Sequence, residues 1–122
     1  MDQRAQIDRG ERKTGYWLLF AEKSGTYRIE LRRWPRFYEH PITWGDDSGH
    51  KALPVKRAEI QLGTAYTTIV RNNPVKEDDV CAVFTVRIAW PNNPMQLSTV
   101  FLDEGRVPVC GAYYAYIKRI SD

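Results

Sequence analysis

Four consecutive residues, Arg32, Arg33, Trp34 and Pro35, hold the densest chemistry in the chain. Two permanent cations that fork onto carboxylates, sulfates or main-chain carbonyls adjoin a large aromatic face. Successive side chains of a strand point to opposite faces, so Arg32 and Arg33 serve one site only across a bulge, and one of them is expected to face outward. The outward arginine either forks onto a partner or an anion, or packs over Trp34 as a cation–π contact.

Rings offer a second chemistry. Trp34, Tyr38, Trp44 and Tyr113 fall at strand ends or in loops, where a scaffold can present them to the C–H faces of a sugar. The same rings serve equally as core in a small β domain. Carboxylates cluster in Asp46-Asp47, Glu77-Asp78-Asp79 and Asp103-Glu104, yet no EF-hand spacing supplies the six to eight oxygens that calcium requires. His40 and His50 have no ligand partner at useful spacing and read as loop histidines. Cys81 and Cys110 each open an expected strand; they bridge only if those strand ends meet within about 7 Å, and are otherwise two buried thiols.

The elements that must position these groups are strands. Tyr27, Ile29 and Leu31 alternate with Arg28, Glu30 and Arg32, the pattern of a sheet buried on one side, and Pro35 ends the ladder. Similar runs predict strands near 15–21, 26–34, 55–62, 65–71, 80–89, 95–103 and 110–120, with no helical periodicity. Asn72-Asn73 and Asn92-Asn93, each followed by proline, and the loop from Trp44 to His50 read as turns. Ala82, Phe84, Val86, Ile88 and Trp90 share one face, Leu97, Thr99 and Phe101 another. Val83, Val100 and Leu102 stay apolar on the opposite side, which predicts central strands covered on both faces. The expected fold is all-β, a jelly-roll-like antiparallel β-sandwich of about 7–8 strands in a single domain over residues 1–122.

Several ordered blocks carry a family likeness: Gly15-Tyr-Trp-Leu-Leu-Phe20, Gly25-Thr-Tyr27, Leu31-Arg-Arg-Trp-Pro35, Lys51-Ala-Leu-Pro54, Ala58-Glu-Ile-Gln-Leu62, Phe84-Thr-Val86, Phe101-Leu-Asp103 and Gly111-Ala-Tyr-Tyr114. In this order they resemble the C-terminal accessory domain of bacterial arylsulfatase-family enzymes over nearly the whole chain. Val100 stands where that family is expected to carry tryptophan. The resemblance implies a noncatalytic domain, excised with an added Met1, that packs on the catalytic sulfatase domain of the same polypeptide and shapes its pocket. The parent would use calcium and formylglycine and be periplasmic or secreted; this domain needs no cofactor. Arg32, Arg33, Trp34, Tyr38, Trp44, Tyr113 and Tyr114 are then the docking or ligand contacts.

The chain itself carries no Cys/Ser-x-Pro-x-Arg motif: Cys81 is followed by Ala-Val-Phe, Cys110 by Gly-Ala-Tyr, and no serine begins one. An enzyme of that kind is not expected here. The formal charge is +3, but residues 1–36 hold nine of the eighteen basic residues and five of the fifteen acidic ones, a local excess of about +4 that would attract sulfated carbohydrate. Nucleic acid is not an expected partner, because no RNP-like, zinc-knuckle or helix-turn-helix pattern accompanies the charge. No apolar run reaches the roughly 20 residues of a membrane span, and the polar start lacks a signal peptide's apolar stretch. Two rival expectations are an autonomous carbohydrate-binding module for sulfated or anionic glycans, with coplanar exposed rings, and self-association through a bare sheet face.

Overall fold

A computed structural model gives the structure of residues 16–64, 66–89 and 93–122. Among these described residues eight antiparallel strands form two sheets: β1 (Tyr16–Phe20), β2 (Gly25–Arg32), β3 (Arg57–Gly63), β4 (Thr68–Pro74), β5 (Ala82–Ile88), β6 (Pro94–Leu102), β7 (Pro108–Cys110) and β8 (Tyr114–Ser121). The large sheet runs β1-β6-β3-β4, with β7 also paired to β6, and the small sheet runs β5-β2-β8. The described residues contain no helix, so none is long and apolar enough to cross a membrane. The protein is an all-β sandwich.

Period-two alternation builds the core between the sheets. Tyr27, Ile29 and Leu31 of β2, Ala58, Ile60 and Leu62 of β3, Phe84 and Val86 of β5, and Leu97 and Phe101 of β6 are all buried and face one another. Each full burial of such an aliphatic or aromatic side chain contributes about 1.5–3 kcal/mol. Thr99 shares the buried face of β6, where its hydroxyl accepts a hydrogen bond from Ala112 N at 3.0 Å. On the other face Val83 and Val100 are half-buried and Leu102 is buried, so the cover expected on both sides is complete only at Leu102. Trp90, which the alternation places beside Ile88, lies outside the described residues, as does the stretch 1–15 with part of the local basic excess.

Four boundaries depart from the sequence reading. The strand expected to reach residue 34 ends at Arg32, because Arg33 and Trp34 turn away to bond the following loop. The strand expected at 65–71 is β4 at 68–74, displaced by a turn in which Thr64 Oγ1 accepts from the amides of Tyr66 and Thr67. Asn72 and Asn73 are therefore strand residues and not a turn. An edge strand tolerates them, and Asn73 uses its amide to reach Val83 O of the other sheet at 2.6 Å. The single closing strand expected at 110–120 is two strands. The chain leaves the large sheet after Cys110 and enters the small sheet at Tyr114, stapled at the crossing by Ala112 N to Thr99 and by Tyr113 N to Arg32 O at 3.2 Å. No disulfide joins Cys81 to Cys110; Cys110 belongs to the large sheet, and Cys81 leads into β5 of the small one.

Candidate functional site: an aromatic loop at one end of the sandwich

Beyond Arg32 the chain folds into a long loop, residues 33–56, before β3 begins. Arg33 organises it. Its guanidinium is buried and donates to three main-chain carbonyls, those of Ile42 (3.2 Å), Trp44 (2.7 Å) and Lys51 (2.7 Å), and sits 4.4 Å from the centroid of the Trp34 ring. Trp34 is also buried and donates through Nε1 to Pro41 O at 3.0 Å. Both arginines of the corner are buried: Arg32 does lie on the outer side of the small sheet, but it is covered there against Glu30 and not left open to a partner. Three of the five guanidinium N–H donors of Arg33 are met by main-chain carbonyls of the loop itself.

Around Trp34 stand three rings edge-on: Tyr38 at 5.7 Å, His40 at 5.0 Å and His50 at 5.4 Å between centroids. Tyr38 stacks on His40 with planes 6° apart, and His40 meets Trp44 at 86°. Tyr38 and Trp44 therefore lie close to perpendicular. The coplanar platform that would suit a flat sugar face is not what these rings form. His40 Nε2 lies 2.6 Å from Gly45 O and donates there, so the loop histidine fastens its own loop. Asp46 closes the tip: it accepts from the amides of Ser48 and His50 and from His50 Nδ1. Despite desolvation these contacts lower its pKa, with the His50 side chain the foremost of them.

On the outer face of the small sheet lies a feature the sequence reading missed. Glu30 is 3% exposed and binds three arginines, Arg28 Nη1 at 2.7 Å, Arg32 Nε at 2.5 Å and Arg36 Nη2 at 3.1 Å. Burial acts to raise its pKa, but the hydrogen bonds from Arg36, Arg28 and Arg32 outweigh it and bring the value from 4.5 to about 2. Arg32 also lies 3.7 Å from the exposed carboxylate of Glu39, while its buried Nη1 makes no hydrogen bond. Arg36 caps the cluster over Tyr116, with its guanidinium 4.3 Å from the ring and its amide donating to the Tyr116 hydroxyl. The signal was present in the alternation, since Arg28, Glu30 and Arg32 share one strand face.

Of the seven sequence candidates, Arg33, Trp34, Tyr38 and Trp44 meet in the loop cluster. Arg32 belongs to the Glu30 cluster, with half-buried Tyr114 opposite it in the strand register. Tyr113 is 53% exposed and is tied by its amide to Arg32 O, at the same end of the sandwich as the loop. Phe37, which sequence reasoning passed over, is 91% exposed and joins Tyr38 (40%) and Trp44 (48%) as solvent-facing ring surface. Among the described residues no group of three or more His, Cys, Asp or Glu side chains could hold a metal ion.

Fold and loop together define an antiparallel β-sandwich with ring surface gathered at one end. No protein-family model, no curated protein and no solved structure matches the chain.

Proposed function

We propose that this chain is a noncatalytic accessory domain of a sulfatase-like enzyme, docking on the catalytic domain of the same polypeptide through the end that carries Phe37, Tyr38, Trp44 and Tyr113. The observation that supports this reading is the combination of exposed rings with a loop held rigid from within by Arg33. Large apolar rings on a prearranged loop lose little conformational freedom when covered, which suits a permanent intramolecular interface. The ordered sequence blocks from Gly15 to Tyr114 supply the enzyme class. An antiserum raised against the domain tests it on the native protein. A polypeptide several times longer, bearing a Cys/Ser-x-Pro-x-Arg motif, is expected; a native species no larger than this chain would overturn the proposal.

A second reading, a carbohydrate-binding module for sulfated or anionic glycans, draws on the outer face of the small sheet. Arg28, Arg32, Arg36, Arg87 and Lys118 stand there against Glu30 and Glu39. Calorimetric titration with a sulfated glycan and its desulfated counterpart at two salt concentrations separates the readings. Saturable heat that requires sulfate favours the module, and its absence leaves the support domain.

A further inference from the structure

The outer face of the large sheet differs in chemistry from that of the small one. Strand register sets two adjacent rows across it, Leu18–Gln96–Gly63–Thr68 and Tyr16–Ser98–Gln61–Val70, neither of which contains a charged residue. Because Gly63 has no side chain, the first row has a gap, and this gap floors a groove of about 360 Å³ flanked by Leu18, Thr68 and Gln96. A second hollow of about 120 Å³ lies further along the same β3–β6 seam, lined by Gln61, Ser98, Val100 and, at its far side, Glu59. The Gly63 groove alone falls within the roughly 300–1,000 Å³ of small-ligand sites.

Four polar side chains of the seam, Thr68, Gln61, Gln96 and Ser98, make no hydrogen bond with any described residue. Their neighbours behave otherwise: Thr64 is spent on its turn, and Glu59 is bonded by Asn72. Amides and hydroxyls both donate and accept, which matches the hydroxyls of a sugar ring, while an anionic ligand would find no counter-charge in either hollow and the one carboxylate beside them, Glu59, is bonded by Asn72. Leu18 (62% exposed) and Val70 (48% exposed) flank the rows with apolar surface suited to C–H faces. The groove also lies apart from the aromatic loop. Thr68 begins β4, whereas Asn73, near its other end, meets Val83 at the level of Glu30. A ligand at Gly63 therefore does not compete with docking at Trp44.

We propose that the β3–β6 seam of the large sheet binds an uncharged oligosaccharide laid along the strands over Gly63. This inference does not rest on the accessory-domain proposal.

Gly63 provides the test, because a Cβ there would meet only Thr68 Oγ1, at an ordinary 3.6 Å, so the groove can be filled without disturbing the fold. The labelled chain is applied to an array of neutral gluco-, manno-, xylo- and galacto-oligosaccharides and their sulfated forms, followed by NMR titration with the best neutral binder. Binding of an uncharged oligosaccharide is expected, with affinity falling at least about tenfold in both Gly63→Val and Gln96→Ala at unchanged melting temperature. The inference is overturned if no neutral oligosaccharide binds, or if both variants bind as tightly as the parent. It is equally overturned if binding requires sulfate and fades with salt, which assigns the ligand to the small sheet. Self-association abolished by Gly63→Val without any sugar affinity would make the seam an interface between copies and end the proposal.

Discussion

Arg33 donates through Nη1 to the carbonyl oxygen of Trp44 at 2.7 Å, across eleven positions of sequence, so the most exposed of the described tryptophans is held by its backbone while its ring stays free. With the bonds to Ile42 O and Lys51 O, one buried side chain fixes both limbs of the loop.

Replacing Arg33 should therefore loosen the loop and destabilise the domain together. Arg33→Ala leaves three carbonyls without their donor and is expected to cost about 3 kcal/mol. Arg33→Lys keeps the charge but not the fork and should cost about 2 kcal/mol. Urea unfolding followed by tryptophan fluorescence checks both; a midpoint equal to the parent's in both variants would refute the latch.

Glu30 makes stability depend on acid pH. A carboxyl held below its unfolded value contributes stability that is fully present above that value, here 4.5, and is lost as pH falls toward its folded value of about 2. Allowing for solvent screening at half-exposed Arg28 and Arg36, about 2 kcal/mol should disappear between pH 5 and pH 2. Unfolding free energies measured across that window should fall more steeply for the parent than for Glu30→Gln.

Gly45→Ala should be poorly tolerated. An added Cβ would collide with the main chain of His50 and come within 2.8 Å of Ala52 N, and neither atom can swing aside as a side-chain tip would. Such overpacking costs about 1–3 kcal/mol. Gly49→Ala is the control, since a Cβ there meets nothing within 4 Å, although its positive φ of 98° adds backbone strain of its own. A melting temperature for Gly45→Ala at or above that of the parent would contradict the packing described.

The two thiols should remain separate. Denatured without reductant, the chain should bind two equivalents of an alkylating reagent. Native Cys81, whose pKa burial and then the charge of Glu30 raise, should react more slowly at pH 8 than in urea. Alkylation of neither thiol in the unreduced, unfolded chain would reveal a disulfide.

The parts of the fold that alternation governs were legible in the sequence. The buried faces of β2, β5 and β6 follow from every-second-residue apolarity, and the end of each was placed within a few positions. The split of the last strand was hidden because Gly111, Ala112 and Tyr113 continue an apolar aromatic run, while the crossing is decided by hydrogen bonds to Thr99 and Arg32 far away in sequence. Asn72 and Asn73 misled for a related reason: their local chemistry is that of a turn, but an edge strand accepts it. At the loop, residue types announced aromatic surface without showing which rings are spent internally. Trp34 and Trp44 look alike in sequence, and only Arg33, Pro41 and the histidines decide that the first is buried and the second exposed.

The placement of β2 at the centre of the small sheet sets an order of events during biosynthesis. Its two partners lie far downstream, β5 at residues 82–88 and β8 at 114–121, and Arg119 reaches back to Ser24 O across 95 positions. A nascent chain can pair one edge of β2 only after β5 has been made, and the other only after residue 121. Until then the apolar face of Tyr27, Ile29 and Leu31 stays open to wrong partners, so folding is a late event that a premature stop would forfeit.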